Sequence, residues 1–228
     1  MIIGSGLIAI AFRKFSQIDD ICIFASGVSN SMCKNIEDFR REKVLLKKTL
    51  ERNQSVSFFV YFSTCSIEDP GMKNTPYVRH KLEMESIVLT HLSSLIFRLP
   101  QVIGSGGNPN TLINFLYQSI KFGHEFELWK NSTRNIIDVD DVVTIVSFYL
   151  AKEIPHKKIL NIANPVNHSM TDIVNSMEKA LKKNGVYRIV DKGEKYIINT
   201  SVMSLLIKEA DVSFDKNYLL KIIKKYFL

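Results

Sequence analysis

A tyrosine and a lysine four residues apart, Tyr77 and Lys81, are the pair in this sequence whose types and spacing most directly suggest chemistry. They fall in a segment predicted to be helical, where residues four apart project from the same face. A lysine ammonium beside a phenol favours the phenolate, which lowers the pKa of the tyrosine from its ordinary value of about 10. Such a tyrosine can exchange a proton with an alcohol or a carbonyl oxygen.

The spacing alone is common, and a second pair of the same kind begins at Tyr117. The surroundings favour Tyr77. An apolar strand predicted over residues 56–62 is followed by Ser63 and Thr64, and hydroxyls at the carboxyl end of a parallel strand lie where open α/β sheets bind ligands. We therefore predict that Tyr77 and Thr64 belong to one site, and that Tyr117 faces solvent or core.

A glycine-rich turn near the start of the chain is a second candidate site. Residues 4–9 read Gly-Ser-Gly-Leu-Ile-Ala and lie between a short apolar strand and an apolar helix. The first glycine permits a tight turn, the second lets a pyrophosphate approach the backbone, and the small last residue lets helix and strand pack closely. The alternative is an ordinary glycine turn before an apolar helix.

The elements that must position these residues alternate between strands and helices. In the first half, strands are predicted at residues 2–3, 21–25, 56–62 and 95–99, and helices at 36–52 and 77–91. This alternation indicates parallel βαβ units, and strands apolar on both faces fit a sheet covered by helices. The second half is mixed, with helices predicted at 112–122, 140–152, 171–183 and 215–227 and short strands at 160–163 and 196–198.

Composition disfavours several classes of protein. The chain has 228 residues, 46% of them hydrophobic and 23% charged, so it is not disordered. Its net charge of +7 is spread along the sequence, which suits an anionic small ligand better than a nucleic acid. No apolar stretch reaches the ~18 residues of a membrane span, and the apolar segment Met1–Phe12 lacks the preceding charges of a signal peptide. We expect a cytoplasmic protein, whose basic last helix packs on the domain and does not lie on a membrane surface.

Cysteine and histidine spacing gives no support for a disulfide framework or a metal site. The cysteines are Cys22, Cys33 and Cys65, an odd number without zinc-ligand spacing. Cys65 stands beside Thr64, where we expect a small buried residue and not a nucleophile. Ligand spacing is also missing among His124, His156 and His168.

Taken in order, these segments resemble the extended short-chain dehydrogenase/reductase family, which comprises nucleotide-sugar epimerases, dehydratases and reductases. The resemblance covers almost the whole chain. The matching segments are the loop at 4–9, the strand and turn at 21–26, the strand end at 62–64, Tyr77 with Lys81, Arg98-Leu99-Pro100 followed by Gly104, the segment 134–142, and the strand at 160–163 with the helix after Ser169.

The resemblance implies a role for each matching residue. Tyr77 would be the general acid/base, Lys81 would hold the nicotinamide ribose and tune Tyr77, and Thr64 would hydrogen-bond the reacting sugar oxygen. Arg134 would grip the diphosphate of a sugar nucleotide, since a guanidinium suits phosphate geometry; the alternative is a solvated loop arginine. With NAD or NADP as cofactor, the expected cofactor-binding residues are Gly4, Gly6, Leu7, Ile8, Ala25, Ser26, Ser63, Tyr77, Lys81 and Pro100.

The fold implied is a Rossmann-type, doubly wound parallel α/β sheet that lacks two strands. Residues 1–105 would form the shortened dinucleotide-binding region. Residues 106–228 would complete the sheet and form a small α+β substrate lobe.

The family also implies a homodimer, built by the helices at residues 36–52 and 77–92 across a twofold axis. The second of these helices carries an apolar stripe that could face either the sheet or a partner, formed by Met84, Ile87, Val88 and His91.

The main departure from the family is a deletion. Only residues 13–20 separate the glycine-loop helix from the strand at Ile21, where the family has two further strands and a helix. A strand plus a crossover needs at least about 10 residues. We therefore predict that the first strand lies at or near the sheet edge and that the adenine side of the cofactor site is open. Dinucleotide binding should be weak, with little discrimination between NAD and NADP.

The leading hypothesis is NAD(P)-dependent oxidoreduction or epimerisation of a nucleotide-activated sugar. A keto-sugar reductase is preferred because Cys65 and Ser66 stand beside Thr64, where a dehydratase would need an acid/base pair. The alternative, which the deletion motivates, is a catalytically inactive nucleotide-binding or regulatory relative of the same fold.

Overall fold

The structure is a computed structural model, and it describes residues 1–106, 111–152 and 158–228. His156, for which the sequence predicts no role as a metal ligand, lies outside the described residues.

Strands and helices alternate in the first half, as the sequence predicts, and become mixed in the second. The strands are β1 (Ile2–Ile3), β2 (Ile21–Phe24), β3 (Phe58–Thr64), β4 (Ser94–Leu99), β5 (Gln101–Ile103), β6 (Phe126–Trp129), β7 (Thr133–Arg134), β8 (Ile136–Asp138), β9 (Lys158–Asn161), β10 (His168–Ser169) and β11 (Tyr187–Val190). The α-helices are α1 (Leu7–Ala11), α2 (Ile36–Arg52), α3 (Pro76–Val88), α4 (Leu112–Phe122), α5 (Val139–Ala151), α6 (Met170–Leu181), α7 (Ser201–Glu209) and α8 (Tyr218–Phe227).

The central sheet is parallel and has the strand order β1-β2-β3-β4-β9 within the described part of the chain. Residues 13–17 form a single 3₁₀ segment between α1 and β2, so the chain passes from β1 to the neighbouring parallel strand by a very short connection. Among the described strands β1 pairs only with β2, which places it at the sheet edge and confirms the prediction from the deletion. The α/β class and the parallel Rossmann-type sheet are likewise confirmed.

Helices cover both faces of this sheet, which explains why β2, β3 and β4 are apolar almost throughout. On one face the core is formed by α2, α3 and the sheet, and includes Leu46, Leu50, Phe59, Met84 and Val88. The other face is covered mainly from the second half of the chain, and its core includes Phe12, Phe62, Val146, Leu160 and Met203. Met84 and Val88 are fully buried and His91 nearly so, and this apolar stripe of α3 therefore serves the sheet.

Beyond β4, the described residues include three two-stranded pairs around a smaller core. β5 pairs in parallel with β8, β6 pairs in parallel with β11, and β7 pairs antiparallel with β10. Helix α8 buries its apolar stripe against α6 through residues such as Leu219 and Ile222, so packing on the domain is the role of this basic helix. Within the part of the chain described, no helix has both the length and the apolar character that a membrane crossing requires.

The strand predicted at residues 196–198 is wrong, because this segment is irregular in the structure. The apolar character of this segment reflects packing and not sheet pairing, since Ile198 is buried beside Cys65 and Ala163. The backbone carbonyl of Tyr196 accepts a hydrogen bond of 2.5 Å from the side chain of Asn167, which takes the place of a ladder partner.

Capping residues fix where helices α2 and α3 begin. Asn35 accepts a hydrogen bond from the backbone N–H of Glu37 at 3.1 Å and starts α2. Thr75 accepts one from Val78 N at 3.3 Å and is followed by Pro76, whose fixed φ suits the first position of α3. This start orients Tyr77 and Lys81 toward the carboxyl end of the sheet.

Candidate active site

A cavity of about 980 Å³ opens at the carboxyl ends of β1 to β4. Its position agrees with the rule that open α/β sheets bind ligands in the crevice beyond their strand ends. The structure brings nearly all of the sequence-predicted site residues to this cavity: Gly6, Leu7, Ile8, Ala25, Ser26, Ser63, Thr64, Tyr77, Lys81, Pro100 and Arg134.

The two glycines of the first loop play different parts. Gly4 has φ +133°, and an added Cβ would lie only 2.4 Å from the carbonyl oxygen of Ala25, so no other residue fits this turn. Gly4 is not among the cavity-lining residues. At Gly6 a Cβ would meet nothing within 4 Å and would project into open space beside the cavity. Gly6 therefore leaves room for a ligand to approach the backbone.

Tyr77 lies buried in the cavity wall, where its side chain shares a hydrogen bond with Thr64. Burial raises the pKa of Tyr77 to about 12; the bond with Thr64 lowers it and the charge of Glu42 raises it. The expectation that Lys81 lowers the pKa of Tyr77 is therefore wrong for this structure. The phenol is protonated at neutral pH and is suited to donate a proton.

Lys81 explains this difference, because its charge is engaged elsewhere. The Lys81 ammonium lies 3.0 Å from Glu42 Oε1 and donates a hydrogen bond of 3.0 Å to the Tyr61 hydroxyl. Both Lys81 and Glu42 are buried. The phenol that receives the lysine hydrogen bond is thus Tyr61 on β3, and the nearby negative charge of Glu42 offsets the ammonium.

Arg134 also lines the cavity and lies on β7. Its guanidinium donates a hydrogen bond of 2.7 Å to the carbonyl of Thr133 and lies 3.9 Å from Asp69 Oδ2. Arg134 also lies close enough to Tyr196 for its charge to lower the pKa of that phenol, although burial dominates and raises it to about 12. The Arg134 guanidinium is partly exposed, and its ion pair with Asp69 is long, so it is available to an anionic ligand.

The competing pair, Tyr117 and Lys121, lies on α4 and does not line the cavity. The Lys121 ammonium donates a 2.7 Å hydrogen bond to the Tyr117 hydroxyl, and the Tyr117 ring packs on Phe227 with centroids 4.8 Å apart. The pair stabilises the contact between α4 and α8.

Sequence reasoning missed two charged residues at or behind the site, Glu42 and Arg41. Glu42 was not singled out, although it is a charged residue on the buried stripe of α2 that continues through Leu46 and Leu50. That position was the available signal. Arg41 lines the cavity and donates hydrogen bonds of 3.2 and 3.3 Å to the side chain and backbone of Ser26. Nothing in the spacing of Arg41 marked it out from the other basic residues of α2.

Cys65 is almost fully buried, and its thiol donates a 3.3 Å hydrogen bond to the carbonyl of Arg98. Burial raises the pKa of Cys65 well above its ordinary value, so the thiolate that a nucleophile requires is disfavoured. Cys65 is therefore a packing residue, as expected. Among residues 1–106, 111–152 and 158–228, no group of three or more His, Cys, Asp or Glu side chains is arranged to hold a metal ion.

Comparison with protein families gives a match over most of the chain. Residues 8–163 match the NAD dependent epimerase/dehydratase family. By sequence, none of the curated proteins compared with the chain is significantly similar to it.

Solved structures share the fold. UDP-glucuronic acid 4-epimerase from Bacillus cereus, in complex with UDP-glucuronic acid and NAD, has a TM-score of 0.76 at 17% identity, over 95% of this chain and 77% of that one. dTDP-glucose 4,6-dehydratase from Bacillus anthracis, in complex with NAD, has a TM-score of 0.71 at 16% identity, over 97% and 76%. RMD from Pseudomonas aeruginosa, complexed with NADPH, has a TM-score of 0.67 at 16% identity, over 90% and 80%.

Proposed function

Because the chain belongs to the NAD-dependent epimerase/dehydratase family, we propose that it is an NAD(P)-dependent oxidoreductase or epimerase of a nucleotide-activated sugar, and more narrowly a keto-sugar reductase. The observation that carries the proposal is the convergence of Thr64, Tyr77, Lys81 and Arg134 on one cavity at the sheet's carboxyl edge. Solved relatives of the same fold were obtained with NAD, NADPH and UDP-glucuronic acid. Free cysteines agree with a cytoplasmic location, which belongs to the proposal.

The cavity suits a dinucleotide on the evidence of its own residues. Gly6 leaves its backbone open to the cavity. Ser63 Oγ is a buried hydroxyl that has no hydrogen-bond partner within the described residues, and Ser63 lines the same cavity. A buried hydroxyl without a partner costs free energy unless a ligand satisfies it. Ser26, Ala25 and Pro100 complete this side of the wall.

The chain's own residues then divide the chemistry. The chemistry that a bound nicotinamide dinucleotide supplies is hydride exchange with a sugar carbon. Tyr77 holds the proton for the sugar oxygen. The side chain of Thr64 shares a hydrogen bond with Tyr77 and orients its hydroxyl. Because the pKa of Tyr77 is raised to about 12, the phenol carries its proton at neutral pH, as the reduction of a carbonyl requires. Arg134 binds the diphosphate.

The preference for a reductase also rests on what stands beside Thr64. The residues that follow are Cys65, whose thiol is buried and bonded to a backbone carbonyl, and Ser66, whose N–H is bonded to Thr64. Neither offers the acid/base pair of a dehydratase.

The proposal is tested by incubating the protein with NADH or NADPH and 4-keto nucleotide sugars while following nicotinamide absorbance. Native mass spectrometry of the purified protein would identify retained ligands. If there is neither turnover nor binding, the catalytically inactive relative is the better description.

We expect dinucleotide binding to be weak and to discriminate little between NAD and NADP. No described strand lies beyond β1, so the adenosine half loses the contacts that such strands would give. Calorimetry with NAD(H) and NADP(H) should give dissociation constants above the micromolar range and similar for the two.

Arg41 provides the control for this prediction, because it borders the cavity beside Ser26 and is cationic. A submicromolar constant with a strong preference for NADP that disappears in Arg41→Gln would contradict the prediction. It would also identify Arg41 as the reader of the 2′-phosphate.

The homodimer through α2 and α3 remains a proposal. The inner stripe of α3 is occupied by the sheet, so the interface would use the outer faces, where Val44 is 45% and Leu82 is 39% exposed. A Lys43–Glu83 ion pair already joins the two helices there. Light scattering at micromolar concentration should give twice the monomer mass, and Leu82→Asp should halve it. Phe122→Asp, which changes an exposed residue on α4, should not. A monomeric mass for the unchanged protein would exclude a stable dimer.

A further inference from the structure

A buried carboxylate lies directly behind the proposed site. Glu42 is fully buried in the middle of α2, on the stripe that packs against the sheet. Burying an ionised carboxylate is costly unless it is paired and hydrogen-bonded. The environment of Glu42 must therefore supply unusually complete compensation.

Both carboxylate oxygens of Glu42 are saturated. Oε1 accepts hydrogen bonds from the Lys81 ammonium at 3.0 Å and the Tyr61 hydroxyl at 2.6 Å. Oε2 accepts one from Val28 N at 2.6 Å and lies 3.0 Å from His80 Nε2. Burial alone would raise the pKa of Glu42, but the Lys81 charge and these hydrogen bonds lower it to about 2. Glu42 is ionised throughout the neutral range.

The arrangement fixes the direction of the Lys81 ammonium. An ammonium has three N–H donors. Within the described part of the chain, two of them are directed to Glu42 and Tyr61, which leaves one for a ligand in the cavity that Lys81 lines. Gly27 packs directly against this pair and leaves no room for a side chain, since a Cβ there would lie 2.5 Å from Lys81 Nζ and 3.0 Å from Glu42 Oε1.

We propose that Glu42 is a positioning residue, which holds the Lys81 ammonium at the cavity wall with a single N–H donor presented to the ligand. The inference rests on the proposed function, in which Lys81 holds the nicotinamide ribose. It adds a residue from α2 to the catalytic group of Thr64, Tyr77 and Lys81, which lies on β3 and α3. Tyr61 on β3 and His80 and Tyr77 on α3 are the titratable groups that face the pair.

The first test needs no ligand. Glu42→Gln, Lys81→Met and the double variant are compared by urea unfolding, with Glu51→Gln, an exposed change on the same helix, as the control. If Glu42 holds Lys81, the losses in the free energy of unfolding of the two single variants do not add up in the double variant. Glu42→Gln should cost little stability once the lysine is gone. The advantage of the unchanged protein over Glu42→Gln should be full above pH 4.5 and should shrink as the pH falls toward about 2, since a lowered carboxylate pKa stabilises only the ionised state. Additive losses in the free energy of unfolding would overturn the inference. So would a Glu42→Gln variant that fails to fold and is not restored by adding Lys81→Met.

The second test uses the dinucleotide. In Glu42→Gln, turnover should fall on the order of 10²-fold, as for a misplaced contact, and the dissociation constant for NAD(H) or NADP(H) should rise. Adding Glu42→Gln to Lys81→Met should change neither quantity further. If the unchanged protein binds no dinucleotide, the proposed function is wrong and the unfolding cycle still decides whether Glu42 holds Lys81. If the unchanged protein binds and Glu42→Gln binds equally well, the positioning role is wrong while the proposed function stands.

Discussion

Replacing Tyr77 with phenylalanine is expected to lower turnover by about 10²–10⁴-fold, the usual effect of losing a general acid or base. Tyr77 is the phenol in the cavity wall, in hydrogen-bond contact with Thr64, and its raised pKa keeps its proton in place for transfer. The substitution removes one hydroxyl and keeps the ring that packs beside Val28 and Val78. The variant should therefore remain folded and should still bind dinucleotide.

The matched control is Tyr117→Phe, because Tyr117 also has a lysine four residues later but lies outside the cavity. Rates of hydride transfer are compared for the two variants, with circular dichroism to show that both are folded. Loss of activity in Tyr117→Phe, or full activity in Tyr77→Phe, would show that the acid/base has been assigned to the wrong tyrosine.

The second large effect is expected on stability. Arg98 on β4 holds Glu85 on α3 through two hydrogen bonds, Nε to Oε1 at 2.8 Å and Nη2 to Oε2 at 2.6 Å. Glu85 is buried and Arg98 is mostly so. Arg98→Met keeps the length of the side chain but leaves the Glu85 carboxylate buried without its partner, which should lower the free energy of unfolding by about 3–5 kcal/mol.

Urea unfolding of the Arg98→Met and Arg98→Met/Glu85→Met variants separates the charge from the packing. The double variant should recover most of the loss, because two apolar side chains can replace a buried pair at little cost. Lys43→Met breaks the exposed ion pair between Lys43 on α2 and Glu83 on α3 and should cost less than about 1 kcal/mol. If Arg98→Met costs no more than Lys43→Met, the buried pair does not contribute as its geometry indicates.

Local signals in the sequence predicted most of the helices and the first strands, but helix α7 was not predicted. The bounds of α2 and α4, Ile36–Arg52 and Leu112–Phe122, agree with the prediction. For α2 the reason is visible in the chain, where a capping asparagine and acidic residues begin the helix. For α4 it is Gly123, which ends the helix with φ +75°.

Long-range pairings were less accessible. β6 pairs in parallel with β11 across about 60 residues, and neither strand was predicted, because a four-residue strand with half-exposed side chains has no strong pattern. The site shows the same limit. The chemical types of Tyr77 and Lys81 are evident in the sequence, but the contacts of Lys81 with Glu42 and Tyr61 depend on how α2, α3 and β3 pack.

The sheet also has a consequence for the order in which the protein can mature during synthesis. Strands β1 to β4 and helices α2 and α3 are complete once about residue 99 has been made, but they cover only one face of the sheet. Until α5, β9 and α7 emerge, the opposite face is covered only by α1 and the segment after it, which include Phe12 and Phe15, because the rest of its core comes from residues such as Tyr149, Leu160 and Met203. A nascent chain therefore carries an exposed apolar face for more than a hundred residues of translation, a state that favours chaperone capture or association.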